Sequence, residues 1–381
     1  MTPWSDTINL EKNVDLISEL GKDTTSKGSF TEDYEAFSLA ADIVPCNRFD
    51  CLQEGAVVRL ANTTIDIASW RCMLLAIAMA GSPIKELSIH ACELSVDHIA
   101  DLVTTLEKVG SLDVLKLDFL KLRLSAEQEG ADAGRSLLSV LSSEKFAIKY
   151  LSLRGSLGDD FVSSEGFYTA LAENVALQSL NLAANALSDA SVSTICRALR
   201  VNAAIAEVSL AQNACTGAFL PDLASLLTGI EATPEEDAAW KNVAKLVGDK
   251  NKAVKDANKS RKKKGYPDLE EVSAPAERLV KVDDASYIAN RTLRALDLSF
   301  CPIDVSSFEA FMLQLQVEPK MPPEPALGLS LLLRGRGGDL IMPIKREAAI
   351  EGGEAAEAVE GEAEERVADA PACIPGLTIV Y

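Results

Sequence analysis

One phrase recurs in this sequence at a nearly constant spacing, and that repeat limits the possible folds more than any other feature. Clear copies are LQSLNLAANAL, IAEVSLAQNAC and LRALDLSFCPI, which begin at Leu177, Ile205 and Leu293. Weaker copies begin at positions 55, 84, 112 and 148, so the successive spacings are 29, 28, 36, 29, 28 and 88 residues. A period of this length indicates stacked supersecondary units rather than a globule built around one central core.

Within each copy the apolar pattern changes from that of a strand to that of a helix. The L-x-L segment alternates as a strand with one buried face requires, and the following segment repeats at helical spacing, as in Ile99, Leu102, Val103 and Leu106. Ser188 and Asp304 occupy positions where helix N-caps are expected. We therefore predict an α/β fold, a right-handed solenoid with a curved parallel sheet on its concave face and helices on its convex face.

The pattern L-x-x-L-x-L-x-x-N/C-x-L at this period resembles the ribonuclease-inhibitor-like class of leucine-rich repeats. The resemblance covers about Gly55 to Gln316 and implies a protein-binding solenoid. Its Asn/Cys position carries the expected residue in four copies, whereas the other three copies depart from it. The matching residues are Cys92, Asn185, Asn213 and Cys301, and the departures are Thr63, Leu120 and Ser156.

Composition divides the chain into five segments. Residues 1–54 are predicted to form an N-terminal helical cap, with Ser5–Leu20 as one helix, and residues 55–232 to form repeats. A lysine-rich insertion at 233–290 accounts for the longest spacing, and residues 291–342 hold the last repeats and a cap, with one more strand expected within 326–335. Residues 343–381 form an acidic Ala/Glu-rich tail, which is predicted to be largely disordered because it has few large apolar side chains.

Charge and cysteine usage exclude several classes of partner. A net charge of -20 opposes nucleic acid and anionic membrane, because such a surface repels phosphate at long range. The chain contains no apolar run long enough to span a bilayer, and its eight cysteines include no CxxC pair. We expect a cytoplasmic protein without a cofactor, bound zinc or structural disulfides.

Catalytic motifs are poorly represented. The sequence has two histidines, and we expect His90 and Cys92 to lie on opposite faces. The glycine-containing segments GKDT at Gly21–Thr24 and GRGGD at Gly335–Asp339 lack the residues that a phosphate-binding loop needs. The sequence therefore predicts a non-catalytic protein.

The outward positions of the early strands form the first candidate binding surface. These positions combine charged and aromatic residues, as interaction hot spots do, whereas the later repeats present mainly Ser, Ala and Asn. The alternative is that the aromatic side chains pack beneath the chain's own insertion. The candidate residues are Arg59, Glu86, His90, Lys116, Asp118, Phe119, Tyr150 and Arg154.

The lysine-rich insertion provides the second candidate surface. Ten basic residues and two acidic ones lie between Lys241 and Lys264. Three interpretations stay open: a solvated flexible loop, a docking site for an acidic protein surface such as tubulin, and a nuclear-localisation signal. The candidate residues are Lys255, Lys259, Arg261, Lys262, Lys263 and Lys264.

Together, the lysine-rich insertion and the following copy, NRTLRALDLS, resemble leucine-rich-repeat proteins of the ciliary axoneme. That resemblance implies a structural or regulatory subunit in a large axonemal assembly. Repeat type, length and an acidic tail also resemble GTPase-activating proteins for Ran, although the early-repeat residues on which that activity depends have no match here. A third hypothesis is a soluble inhibitor or adaptor that wraps a single partner.

Overall fold

The computed structural model describes most of the repeat region and parts of its flanks. The described residues are 26–46, 48–52, 56–79, 84–106, 112–122, 124, 131–141, 148–263, 271, 279–282, 285–288, 290, 292–315, 329–332, 367–369 and 377–380. The predicted helix at Ser5–Leu20 lies outside them.

Strands and helices alternate along the described chain. In order, the elements are α1 (Phe30–Ala40), β1 (Phe49–Leu52), β2 (Val57–Ala61), α2 (Ile67–Ala78), β3 (Glu86–His90), α3 (Val96–Leu106), β4 (Val114–Asp118), α4 (Ala131–Leu141), β5 (Tyr150–Ser152), α5 (Asp159–Val162), α6 (Glu165–Glu173), β6 (Ser179–Asn181), α7 (Asp189–Val201), β7 (Glu207–Ser209), α8 (Leu220–Thr228), β8 (Ile230–Glu231), α9 (Pro234–Lys263), β9 (Leu279–Val282), β10 (Ala285–Ile288), β11 (Ala295–Asp297), α10 (Val305–Leu315), β12 (Leu329–Leu332), β13 (Val367–Asp369) and β14 (Leu377–Val380).

One sheet runs through the whole array. Its strand order is β1-β2-β3-β4-β5-β6-β7-β11-β12-β14-β13, and every pair from β2 to β14 in that order is parallel. β7 pairs directly with β11, with Val208 opposite Leu296, so the chain leaves and rejoins the stack without a break in register. This architecture confirms the predicted leucine-rich-repeat solenoid.

The leucines of the repeat form the core between the sheet and the helices. Leu180 and Leu182 are buried, and so are Leu296 and Leu298 in the repeat after the insertion. The predicted apolar faces of the helices are largely buried as well, and the repeat helices pack in the order α2-α3-α4-α6-α7-α8-α10. The alternate strand residues point to the opposite side of the sheet, where most of them are partly or fully exposed.

A buried asparagine ladder ties successive turns together at the predicted Asn/Cys position. Asn213 Oδ1 accepts from the backbone N–H groups of Asn185 and Leu187 at 2.9 and 3.1 Å. Its Nδ2 donates to the carbonyls of Leu182 and Leu210 at 3.1 and 2.7 Å. One amide thus satisfies four backbone groups of two adjacent repeats, because it has both donors and an acceptor with two lone pairs.

A second asparagine ladder, which sequence patterning did not identify, stands just before the strands. Asn174, Asn202 and Asn290 each precede the first apolar residue of a repeat by three residues and accept from that residue's N–H at 2.7 or 2.8 Å. Asn202 also donates to the carbonyls of Leu171 and Asn174, both at 2.7 Å. The missed signal was an asparagine three residues before the first Leu or Ile of these copies.

Both ends of the array are covered. At the N-terminal end β1 pairs antiparallel with β2, and α1 buries Phe30, Tyr34 and Phe37 against the first repeat. At the other end β12 forms within the predicted segment 326–335. Two short stretches of the tail are described, and both are strands: Leu377–Val380 pairs with β12 and Val367–Asp369 pairs with β14. The segment LTIV is apolar and β-branched, which suits a strand at an open sheet edge.

The lysine-rich insertion is not the flexible loop that was one of its interpretations. Most of it is α9, a single helix of 30 residues. β8, β10 and β9 flank α9 in a separate antiparallel sheet of three strands.

Candidate protein-interaction surface

The first candidate surface is the side of the sheet that faces away from the helices. We call it the open face; it consists of the outward side chains of β2 to β7 and β11 and of the residues on the same side within three positions after each strand. All eight residues predicted for this surface lie on it. In the later repeats the open face presents small or short side chains, namely Ser179, Asn181, Ala183, Ser209 and Ala211.

A row of alternating charges crosses the first strands of the open face. The Glu86 carboxylate lies 2.8 Å from Lys116 Nζ and 3.9 Å from Arg59 Nη2. Lys116 Nζ also lies 5.7 Å from the centre of the Tyr150 ring, within the range of a cation–π interaction. The four side chains belong to four adjacent strands, so their contacts fix them as one polar surface.

An aromatic and cationic cluster lies beside that row. The Phe119 ring meets the His90 ring edge to face, with centroids 5.4 Å apart, and the Arg154 guanidinium lies 5.2 Å from the Phe119 ring centre. Arg154 Nη2 donates to Gln212 Oε1 at 3.0 Å, so the arginine side chain spans from the repeat of β5 to that of β7. Asp118 supports the cluster from below, because it accepts from Ser152 Oγ at 2.6 Å and from the Arg154 N–H at 3.1 Å.

Phe119 has a left-handed backbone conformation, with φ of 53°. The equivalent position is left-handed in the other six copies of the repeat as well: Asn62, Ala91, Gly155, Ala184, Gln212 and Phe300. Glycine or asparagine is the usual choice at such a position, and a bulky residue there is strained. Among the aromatic side chains whose burial is described, only Phe119 and Phe300 are exposed, each at 37%.

Gly155 makes room for the Phe119 ring. A Cβ atom at position 155 would lie 2.3 Å from Phe119 Cδ1, and Gly155 itself has φ of 64°. The repeat of β5 therefore combines a glycine with an arginine to seat the phenylalanine of the repeat before it. Sequence patterning identified Phe119 and Arg154 as candidates but gave no sign of the role of Gly155.

The buried cysteines occupy structural positions. His90 is exposed, while Cys92 is buried with Sγ 3.5 Å from the Leu60 carbonyl, so the two lie on opposite sides as predicted. The left-handed Ala91 between them, with φ of 51°, breaks the strand alternation that would otherwise place both on one side. Burial raises the pKa of Cys72 to about 11 and that of Cys196 to about 12, which disfavours a thiolate at neutral pH. Among the described residues no group of three His, Cys, Asp or Glu side chains could hold a metal ion.

The second candidate surface lies on α9, on the helix side of the array. Lys255, Lys259, Lys262 and Lys263 are exposed on its C-terminal half, and Arg261 lies in the same helix. Lys264 lies outside the described residues. The structure therefore separates the two predicted surfaces, because α9 packs on α6 and α7 rather than over the open face.

Comparison with protein-family models matches residues 289–312 to the Leucine Rich repeat family. The match covers β11 and most of α10, which form one complete strand–helix unit, and it supports assignment of the chain to the leucine-rich-repeat family. A comparison with curated proteins finds no match. No helix in the described part of the chain is both long enough and apolar enough to cross a membrane.

Proposed function

We propose that this leucine-rich-repeat chain is a non-catalytic scaffold that binds a protein partner through the early repeats of its open face. Leucine-rich repeats are a protein-interaction fold, and fold alone does not identify a partner. The observation that carries the proposal is Phe119, a large apolar side chain held exposed in a strained backbone conformation. Strain of this kind persists where the surrounding structure enforces it and is concentrated at functional sites.

The surroundings of Phe119 match those of a binding hot spot. An exposed aromatic ring bordered by Arg154, His90 and a row of paired charges offers apolar contact area together with fixed polar groups. Aromatic and arginine side chains dominate the energetics of protein interfaces for this reason. The side chains are also held by contacts within the chain, so little entropy is lost when a partner orders them.

Replacement of Phe119 by glycine tests the proposal. Glycine accepts a left-handed conformation without strain, so Phe119→Gly is expected to preserve stability while it removes the exposed ring. Partner recovery should fall at least about tenfold, as for loss of a hot-spot aromatic. The measurement is quantitative mass spectrometry of proteins that co-purify with the tagged chain from its native cells.

Leu313→Ala is the matched control, because Leu313 is a large exposed apolar residue on the helix side. Partner recovery should be unchanged in this variant. If Phe119→Gly retains every partner at the wild-type ratio, the open face near Phe119 is not the binding surface.

We further propose that the setting is an axonemal assembly of a cilium or flagellum. The support is the resemblance of the lysine-rich insertion and the NRTLRALDLS copy to leucine-rich-repeat proteins of the axoneme. In that setting the chain should stay with the filament fraction after detergent extraction of isolated cilia. Complete release into the detergent-soluble fraction would contradict the axonemal setting and would leave the open-face proposal intact.

A further inference from the structure

The helix α9 is attached firmly to the array at its N-terminal end. Thr233 and Glu236 form a reciprocal capping box, in which each backbone N–H donates to the other's side chain at 3.1 Å. Glu236 also forms an ion pair with Arg200 of α7, with Oε1 and Nη2 2.8 Å apart and both side chains only 7% exposed. Trp240, Val243 and Val247 are buried beneath the next three turns.

Contacts along α9 give its direction. Glu236 touches α7 through Arg200, and Asn242 Nδ2 donates to Glu173 at the end of α6 at 2.8 Å. The helix therefore runs from the repeat of α7 across that of α6, toward the earlier repeats. Its 16 residues after Val247 span about 24 Å at 1.5 Å per residue.

One face of α9 is a continuous stripe of lysines. At 3.6 residues per turn they fall within an arc of about 100°, whose centre lies about 120° around the helix from that of Trp240, Val243 and Val247. We call this set the lysine stripe, and all its members are exposed. They are Lys241, Lys245, Lys252, Lys255, Lys259, Lys262 and Lys263.

Ion pairs within the described chain neutralise only part of the stripe. Lys241 pairs with Asp237, Lys255 with Glu271 and Lys259 with Asp256. Lys245, Lys252, Lys262 and Lys263 make no ion pair among the described residues.

Like charges at spacings of three and four residues repel one another, as in Lys255–Lys259 and Lys259–Lys263, which weakens an isolated helix. The stripe thus lowers the helix's own stability, and anchoring by Glu236 and Trp240 offsets that effect.

We propose that the lysine stripe is a docking surface for an acidic segment of a second protein. An acidic segment is the occupant that charge complementarity favours. The stripe is a line of cations about 33 Å long, from Lys241 to Lys263, on a chain whose net charge is -20. That net charge repels a long polyanion such as nucleic acid, whereas a short acidic segment meets only the stripe. Since α9 lies on the helix side, this partner and the open-face partner can bind together.

The chain's own acidic tail is the competing occupant, and the direction of α9 argues against it. The tail strands β13 and β14 lie at the C-terminal edge of the main sheet. The lysine stripe extends the other way, from α7 across α6. An acidic segment supplied by another molecule is therefore the occupant that the geometry favours.

A charge-removal experiment tests the proposal on the full chain. The probe is a short fluorescent poly-glutamate peptide, and binding is measured by anisotropy at low and high salt. The triple variant Lys252→Gln/Lys262→Gln/Lys263→Gln changes residues without ion pairs in the described chain, and glutamine matches lysine in helix propensity. Binding should weaken at least about tenfold at low salt, and the difference from wild type should disappear at high salt, where screening dominates.

The matched control removes the same charge elsewhere, through Lys85→Gln/Lys121→Gln/Lys149→Gln. These lysines are at least partly exposed and pair with Asp113 or Glu93 rather than with a residue of α9, so their loss should change probe binding less than twofold. Circular dichroism of both variants verifies that the helices persist. Equal weakening in the two triple variants would overturn the proposal, because the effect would then follow net charge alone.

Two further measurements separate the competing occupants. Tighter binding of a short DNA duplex than of poly-glutamate at physiological salt would overturn the choice of an acidic protein. Replacing the seven glutamates between 351 and 365 by glutamine should leave probe affinity unchanged. A tenfold gain in affinity would identify the tail as the occupant and overturn the proposal. Neither result bears on Phe119, so the open-face proposal stands or fails separately.

Discussion

At the scale of single residues, the repeat assigns separate tasks to three adjacent positions. The buried leucine fills the core, the next residue faces outward, and the residue after that turns left-handed before the Asn/Cys position. The roles of Asn185, Asn213 and Cys92 were predictable, because the motif defines them by spacing. The left-handed conformation of Phe119 was not, because a phenylalanine gives no sequence signal for positive φ.

Removal of one asparagine side chain from the buried ladder should lower the free energy of unfolding substantially. Asn213→Ala leaves buried backbone groups of two repeats without partners, and it should lower the free energy of unfolding by roughly 3 kcal/mol. Asn181→Ala is the control, since Asn181 accepts a single N–H, that of Ala183, on the open face. Its cost should stay below about 1 kcal/mol in the same urea titration. Equal costs for the two variants would show that the ladder does not bind the repeats together.

His98 gives the array a specific response to acid. Its Nδ1 accepts from the Ser95 N–H at 3.1 Å, and its Nε2 lies 3.0 Å from the Ile65 carbonyl, which suits a neutral ring. Burial lowers the pKa of His98 from its ordinary value of 6.5. Below that value the unfolded chain binds a proton that the folded chain does not, so stability present at neutral pH is lost as the pH falls toward the folded pKa.

Urea titrations between about pH 7 and pH 5 measure this loss, because that window begins at the ordinary histidine pKa. The wild type should lose stability across the window more steeply than His98→Gln. Parallel curves for the two proteins would contradict the assignment of the response to His98.

At the scale of elements, α9 is a case in which amino-acid composition alone does not predict the secondary structure. Lysine density suggested a solvated loop as one interpretation, yet Trp240, Val243 and Val247 supply an apolar face and Thr233 with Glu236 supplies a cap. Those signals lie within residues 233–247 of the insertion, where only Lys241 and Lys245 of the ten basic residues fall. The partner of Glu236 is Arg200, 36 residues earlier, and no local pattern links such distant charges.

The buried ion pair should control how tightly α9 is held. Glu236→Gln leaves the Arg200 charge buried beside a neutral amide, and opening of α9 should become easier by about 3 kcal/mol. Adding Arg200→Met removes the unpaired charge and should recover most of the loss. Amide hydrogen exchange across Trp240–Val247 measures the opening free energy directly. If the single variant exchanges at the wild-type rate, the pair does not anchor the helix.

At the scale of the molecule, the array is continuous and carries two surfaces on opposite sides. A repeat stack tolerates a large insertion because each unit contacts only its neighbours. The β7–β11 pairing shows this tolerance directly, since register is kept across the lysine-rich segment. The overall solenoid was predictable from periodicity. The strands of the tail were not, because a four-residue apolar segment after an acidic stretch carries no periodic signal.

Truncation after residue 342 tests the role of those tail strands. It removes β13 and β14 and exposes the backbone of β12 at the edge of the sheet. Exposed strand edges pair with other chains, so the truncated protein should self-associate as its concentration rises. Sedimentation velocity measures the change against the full chain. A truncated protein that sediments as a monomer at every concentration would show that β13 and β14 do not protect the edge.

Hydroxyl-radical footprinting of the co-purified complex is the most direct test of the open-face proposal. Partner binding should protect His90, Phe119 and Tyr150 from oxidation, because all three would lie beneath the partner. Phe300 has the same exposure in a late repeat, and Leu313 is exposed on the helix side. Both should oxidise as fast in the complex as in the free chain. Protection confined to Phe300 or Leu313, with Phe119 unchanged, would contradict binding through the early repeats.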